Sequence, residues 1–319
     1  MSGILSYFVS LCIMAGIFAI LTLGLNMQWG FTGLFNVGIA GFFAVGAYTT
    51  AFLTKAPSPE HLGGFELPII LGLLGSLILS GIIAFLIGLP TLKLKEDYLA
   101  MTTLGIAESI RLVFTNESWL GNGNRGIKDI PKPWAELSAN GYYNLLFLLI
   151  IFIIIILIYV FIEKSIHSPW GRVIKAVRED ELVTASAGKN IFRYKMESLV
   201  IGSMFMGLAG GLYSHYISFV SPDVFHPMQF TFLVWVMLII GGSGNSWGAI
   251  FGAFLVWTIW TGTEFLPDFI IRFLPDARIS EFISGSQGPL RIIIISVILE
   301  LVLIFHPEGI LGEKKNTFE

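Results

Sequence analysis

Charge is what this chain has least of. Only 13% of its 319 residues are Asp, Glu, Lys or Arg, against about 25% in a soluble globular chain, so an ordinary water-facing fold is excluded. The single cysteine, Cys12, lies inside the first apolar run, which rules out an internal disulfide framework. No G-x-x-x-x-G-K-[ST] loop occurs, since Gly188–Lys189 lacks both the earlier glycine and the following hydroxyl. If ATP drives this protein, another chain must hydrolyse it. H-E-x-x-H and paired-cysteine spacings are also missing, so no metal site has support. The start, MSGILSYF, has no basic n-region or small-residue cleavage site and reads as a retained first helix.

What fills the chain instead is apolar runs, at 4–25, 34–53, 67–90, 98–114, 142–163, 196–220, 229–242, 247–266 and 290–305. A helix needs about 20 apolar residues to cross roughly 30 Å of hydrocarbon, and lipid offers backbone groups no partner outside the helix. A β-barrel is excluded because runs such as Ile150–Ile158 do not alternate. The prediction is an all-α polytopic membrane protein with about 8–10 crossings, a single transmembrane domain over 1–319. Two segments, 229–242 and 290–305, are too short to span comfortably.

Polar, Gly-containing interruptions occur at 26–33 (NMQWGFTG) and 241–248 (GGSGNSWG). Small residues recur after each: Gly33, Gly38, Gly41 and Gly46 in one, Gly244, Gly248 and Gly252 in the other. Two readings stand side by side. One is a possible internal repeat with broken helices beside a translocation pathway, in which Asn26, Gln28, Asn36, Gly241, Gly242, Ser243 and Gly244 face the path. The other is tight turns followed by close helix packing.

Candidate chemistry is sparse. GNGNRG at 121–126 matches G-x-G-x-x-G, but Trp119–Leu120 before it and KDIPKP after it do not make the strand and helix a dinucleotide site requires. GGSG at 241–244 is the best enzyme motif, an intramembrane serine protease through Ser243. Its only downstream histidine is His306, at the end of the last apolar run, where a Ser–His dyad needs hydrogen-bond reach. Ionisable residues at membrane depth are functional candidates by default. Glu108 and Arg111, three apart, are placed to pair locally. Glu300 has no partner in its own helix and is protonated, paired across helices or lining a cavity. His215, between Tyr213 and Tyr216, reads as interfacial. These few groups make a thin path for an ion-coupled secondary transporter.

One polar island, 163–195, holds seven of the 19 Lys and Arg. Ser168–Pro169 supplies an N-cap and an N1 proline, Ile174 and Val177 an apolar side, and Gly188 a C-cap. Three consecutive acids, Glu179, Asp180 and Glu181, argue for docking on a soluble protein partner over anionic lipid. With the island cytoplasmic, Lys93, Lys95, Lys314 and Lys315 also fall inside. Lys55, Arg125, Lys128, Lys132, Arg272, Arg278 and Arg291 fall outside. That bias predicts a cytoplasmic C-terminus and, with nine crossings, an outside N-terminus.

The ordered set of LGLNMQWGFTGLFNVGIAGFFAVGAYT (23–49), LKLKEDYLAMTTLGIAESIRLV (92–113), GNGNRGI (121–127), GRVIKAVREDELVTASAGKNIFRYK (171–195), GLAGGLYSHYISFVSPDVF (207–225), GGSGNSWGAIFGA (241–253) and FHPEGILG (305–312) resembles the permeases of branched-chain amino acid ABC transporters. The resemblance implies an ABC-importer permease fold in the bacterial or archaeal inner membrane, with alternating access and no catalysis by this chain. It implies a second permease subunit, two ATPase subunits that use ATP, and a periplasmic binding protein, with no cofactor on this chain and no nucleic acid. It further implies that 163–195 is the cytoplasmic coupling loop, with Arg172, Arg178, Glu179, Asp180 and Gly188 on the coupling surface. Urea and short-amide permeases are similar. Ile39, Ala249, His306 and Glu308 depart from the common pattern, and Glu300 has no counterpart in it.

Overall fold

Without water to bond to, the backbone of each apolar run closes on itself as a helix. A computed structural model describes residues 3–58, 62–133, 143–263 and 287–312. Arg272, Arg278, Lys314, Lys315 and the end of the 247–266 run lie outside the described residues. The runs form α1 (Gly3–Leu25), α2 (Ile39–Thr54), α3 (Ile69–Thr91), α4 (Glu96–Asn116), α6 (Tyr143–Ile166), α9 (Ile191–Ile217), α10 (Pro227–Gly241), α11 (Ser246–Gly262) and α12 (Gln287–Phe305). Three short helices lie between them: α5 (Ser118–Gly121), α7 (Pro169–Glu179) and α8 (Glu181–Ser186). Among the described residues, four stretches are long and apolar enough to span a membrane: 3–30, α3, α6 and α9. The apolar parts of α10 and α12 are shorter, Phe230–Gly241 and Ile292–Phe305, as their sequence lengths predict.

The connections gather at two ends. At one, β1 (Ile127–Lys128) pairs antiparallel with β2 (Phe219–Val220), and Gly121 sits against Tyr48 and Phe114. The GNGNRG stretch is therefore a packed loop: Asn122, Gly123 and Gly126 all take positive φ, and a short strand follows it where a nucleotide site would open a helix. At the other end lie the close of α1, the start of α2, α7, α8 and the α10–α11 turn.

The centre is α9, packed on α1, α2 and α3. Glycine allows the approach. Gly24 faces the Gly202 carbonyl, which a Cβ would meet at 2.7 Å, and Gly46 lies on the Gly207 backbone. Gly248 rests on Gly241 in the same way between α11 and α10. Backbones this close gain dispersion contacts that larger side chains would prevent. The outer faces of α3 and α6 expose Ile70, Ile78, Leu86, Leu149, Ile156 and Leu157, which suits contact with hydrocarbon.

Gly46→Val should overpack the α2–α9 contact and cost about 1–3 kcal/mol or more, read as a lower unfolding midpoint in detergent. Gly105→Ala, where an added Cβ meets nothing within 4 Å, should hold or raise that midpoint by up to about 1 kcal/mol.

Candidate functional site

The first interruption is where α1 stops being regular. Its last turns widen into a π turn at Asn26–Gly30, a local defect that recurs at functional sites. The irregular 31–38 follows. Backbone groups freed there must find partners inside the protein. The Met27 carbonyl accepts from Thr32 Oγ1 (3.1 Å) and Ser198 Oγ (2.8 Å). Gln28 Nε2 donates to the Leu199 carbonyl (2.9 Å) and to Ser203 Oγ (3.1 Å), and its Oε1 accepts from Asn36 Nδ2 (2.7 Å). Asn36 Oδ1 accepts from the Gly38 N–H at 2.7 Å. Asn26, Gln28 and Asn36 are all buried; Gln28 ties the π turn to α9, and Asn36 ties it to the residues just before α2. Trp29, Phe35 and Trp235 close over it with ring centroids 4.9–5.3 Å apart.

At the second interruption α10 ends at Gly241. Gly242 (φ 112°) and Gly244 (φ 81°) turn the chain through conformations that disfavour a side chain. Asn245 then caps α11, accepting from the Trp247 N–H at 2.9 Å. The two interruptions touch: the Gly244 N–H donates to Asn26 Oδ1 at 2.9 Å. Thus α1 is broken at the first interruption, and glycines after each break pack helices closely.

FHPEGILG completes the seam, a role the sequence reading missed. The Ile310 and Leu311 N–H groups donate to the Ile240 and Gly241 carbonyls, both at 2.9 Å. Asn245 Nδ2 donates to the Leu311 carbonyl at 2.7 Å, and Gly242 lies on the Gly312 backbone. Gly309 and Gly312 after Pro307 were the only local signal.

The island folds as its caps predict. Ser168 accepts from the Gly171 N–H, Asp180 from Val183 and Asn190 from Arg193, which start α7, α8 and α9. Gly188 takes φ 77° after α8. Helix α7 buries Ile174 and Val177, and Trp170 Nε1 donates to Glu197 at 2.7 Å. Arg172, Glu179, Asp180 and Gly188 face outward, whereas Arg178 turns inward and donates to the Gly30 carbonyl of the π turn. Helix α8 is held back by a Lys195–Glu181 ion pair and exposes Leu182 (81%) and Val183 (66%). Two bare aliphatic side chains on a polar loop were not singled out from sequence, and the acids beside them hid the signal.

The remaining candidates stand apart. Ser243 is half-buried in its turn, and no histidine hydrogen-bonds to it among the described residues. His215 is buried, with Nδ1 2.7 Å from the Pro131 carbonyl. Glu300 is exposed on α12. No metal-holding group of His, Cys, Asp and Glu occurs among the described residues.

Residues 7–303 match the family model described as branched-chain amino acid transport system / permease component. The chain is 30% identical to the high-affinity branched-chain amino acid transport system permease protein LivM of Salmonella typhimurium, over 95% of this chain and 69% of that one. It is 29% identical to the probable branched-chain amino acid transport permease protein LivM of Methanocaldococcus jannaschii, over 94% and 91%. Similarity extends to the S. typhimurium permease protein LivH at 20% identity, over 92% and 91%. No solved structure matches the chain significantly.

Asn26→Ala should strand the buried Gly244 N–H and cost about 1–3 kcal/mol. The measurement is thermal unfolding in detergent, with Ser243→Ala staying within about 0.5 kcal/mol of the parent.

Proposed function

The chain belongs to the family of permease components of branched-chain amino acid transport systems, and on that footing we propose that it carries branched-chain amino acids, or close neutral relatives, into the cytoplasm by alternating access. It is a multi-pass membrane protein and not itself an enzyme. In this reading a second, related permease subunit completes the path, two ATPase subunits bind and use the ATP, and a periplasmic binding protein delivers substrate. The weaker likeness to LivH beside LivM supports pairing of two different but related permeases. The chain holds no cofactor, and its C-terminus lies on the cytoplasmic side with 163–195.

The observation that carries the proposal is the line of contacts from α8 to the π turn. Leu182 and Val183 stand free on α8, the composition of an apolar anchor for a groove in a soluble partner. Glu179, Asp180, Arg172 and Gly188 are exposed on the same polar loop. From there α7 leads to Arg178, which holds the Gly30 carbonyl, and Asn26 in the same turn holds Gly244. A push on α8 is delivered to α1, α10 and α11 together. In this reading Asn26, Gln28, Asn36 and 241–244 would line the part of the path that changes shape. A urea or short-amide substrate is the alternative, and the ligand of the partner binding protein, measured by calorimetry, decides between them.

Leu182→Glu with Val183→Glu should leave the chain inserted at parent level while ATPase co-purification falls by about tenfold or more and leucine uptake stops. Co-purification at parent yield with normal uptake would sink the proposal. Arg178→Ala should keep the ATPases bound and hydrolysing while uptake per ATP falls. Ser243→Ala should leave uptake unchanged, whereas a protease would lose its activity.

A further inference from the structure

Helix α4 is long enough to cross a membrane yet carries charge at depth. It buries Leu99, Ala100, Thr103, Ala107 and Phe114 against the bundle, and its opposite face exposes Met101, Gly105, Ser109 and Leu112. Glu108 and Arg111 flank that face, 37% and 16% exposed. Arg111 Nε donates to Glu108 Oε1 (3.1 Å) and Oε2 (2.9 Å), and its Nη2 to Oε1. Nη1 has no hydrogen-bond partner among the described residues. Counted from Glu96 at 1.5 Å per residue, Arg111 lies about 22 Å across the layer.

The turn before α10 sits at the same level. With 15 residues, α10 rises only about 22 Å from Gly241 to Pro227, short of the roughly 30 Å core. From β2, at the end of the bundle, the chain dips back so that the Phe225 ring lies 6.0 Å from Tyr48 and 6.4 Å from Tyr213, and the 222–226 turn therefore lies at membrane depth. Irregular backbone is tolerated there only where protein buries it or a water-filled cavity meets it. Asp223 and His226 on this turn are exposed in the chain. The Pro222–Phe225 turn packs on α4, with Asp223 within electrostatic reach of Arg111 and His226 of Glu108. Lipid contact at this face would leave several charges unsolvated.

We propose that Arg111, held in place by Glu108, and Asp223 form a binding step for a zwitterion on the translocation path. The unengaged guanidinium edge takes the α-carboxylate, and the Asp223 carboxylate takes the α-ammonium. Charges then alternate from Glu108 through Arg111 and substrate to Asp223, so a neutral zwitterion enters without net charge transfer into the layer. Gly105, with nothing packed on it in this chain, leaves width beside the pair. The inference rests on the amino acid importer reading above.

The test uses the whole transporter in proteoliposomes, with saturating leucine-loaded binding protein. Arg111→Gln and Asp223→Asn should each lower leucine uptake about tenfold or more, the loss of one charge-assisted hydrogen bond, while ATP hydrolysis continues. The exchanged pair, Glu108→Arg with Arg111→Glu, keeps an ion pair on α4 but reverses its polarity, and uptake should stay low. Restored uptake in the exchange, or parent-rate uptake in Asp223→Asn, would overturn the proposal and leave the pair a structural one. If Arg111→Gln does not assemble, Arg111→Lys keeps the charge but loses the planar fork, and a parent rate there also overturns it. Absence of leucine uptake by the parent transporter would instead reject the importer reading.

Discussion

The hydrogen bond from the Gly244 N–H to Asn26 Oδ1 is the contact on which this end of the molecule depends. Hydrocarbon offers no donor or acceptor to a broken helix, so two interruptions at one depth persist only if protein groups satisfy them. Here the first break helps to satisfy the second, and α7, α9 and residues 31–34 satisfy the first. Asn26 reaches across to the α10–α11 turn, Met27 is held by two hydroxyls, and Gly30 is held by Arg178. Residues 309–312 add backbone hydrogen bonds to the close of α10. The C-terminal stretch, the two interruptions and the polar island are thus one hydrogen-bonded assembly.

That assembly uses more side-chain hydrogen bonds than the centre of the bundle. The contacts of α9 with α1, α2 and α3 run through glycine on backbone, where a shift of a few tenths of an ångström already forfeits dispersion energy. The seam has glycine contacts of its own, Gly241 on Gly248 and Gly242 on Gly309 and Gly312, and adds side-chain hydrogen bonds from Asn26, Arg178 and Asn245. Asn26 Nδ2 is buried without a partner among the described residues, an orphan donor of the sort that marks a site with more than one arrangement.

Much of this was legible in the residues. Apolar run lengths located the helices, and the shortness of 229–242 is matched by the 15 residues of α10. Ser168–Pro169 and Gly188 marked the limits of the island helices because caps are local chemistry. The inward turn of Arg178 was written in the spacing and overlooked: it lies one turn after buried Ile174, about 40° away on the helix, whereas Arg172 lies on the far side. Its partner, the Gly30 carbonyl, was not legible, since nothing in a local pattern names a residue 148 positions away. The same holds for the 309–312 pairing and for the meeting of α4 with the turn before α10.

Magnitudes indicate where a load on α8 would be absorbed. Helix α7 is seated by Ile174 and Val177, both buried, and each such side chain is worth about 1.5–3 kcal/mol. Its N-terminus is also fixed by the Ser168 cap and the Trp170–Glu197 bond. Single hydrogen bonds at the seam contribute about 0.5–1.5 kcal/mol net. Displacing α7 from its apolar seat therefore costs more than exchanging partners in the π turn. In the coupling proposed above, a force on Leu182 and Val183 would move α7 as a unit, with the softer polar contacts of Gly30, Asn26 and Gly244 yielding first. Those contacts join α1 to α10 and α11, so the step that opens one break necessarily disturbs the other.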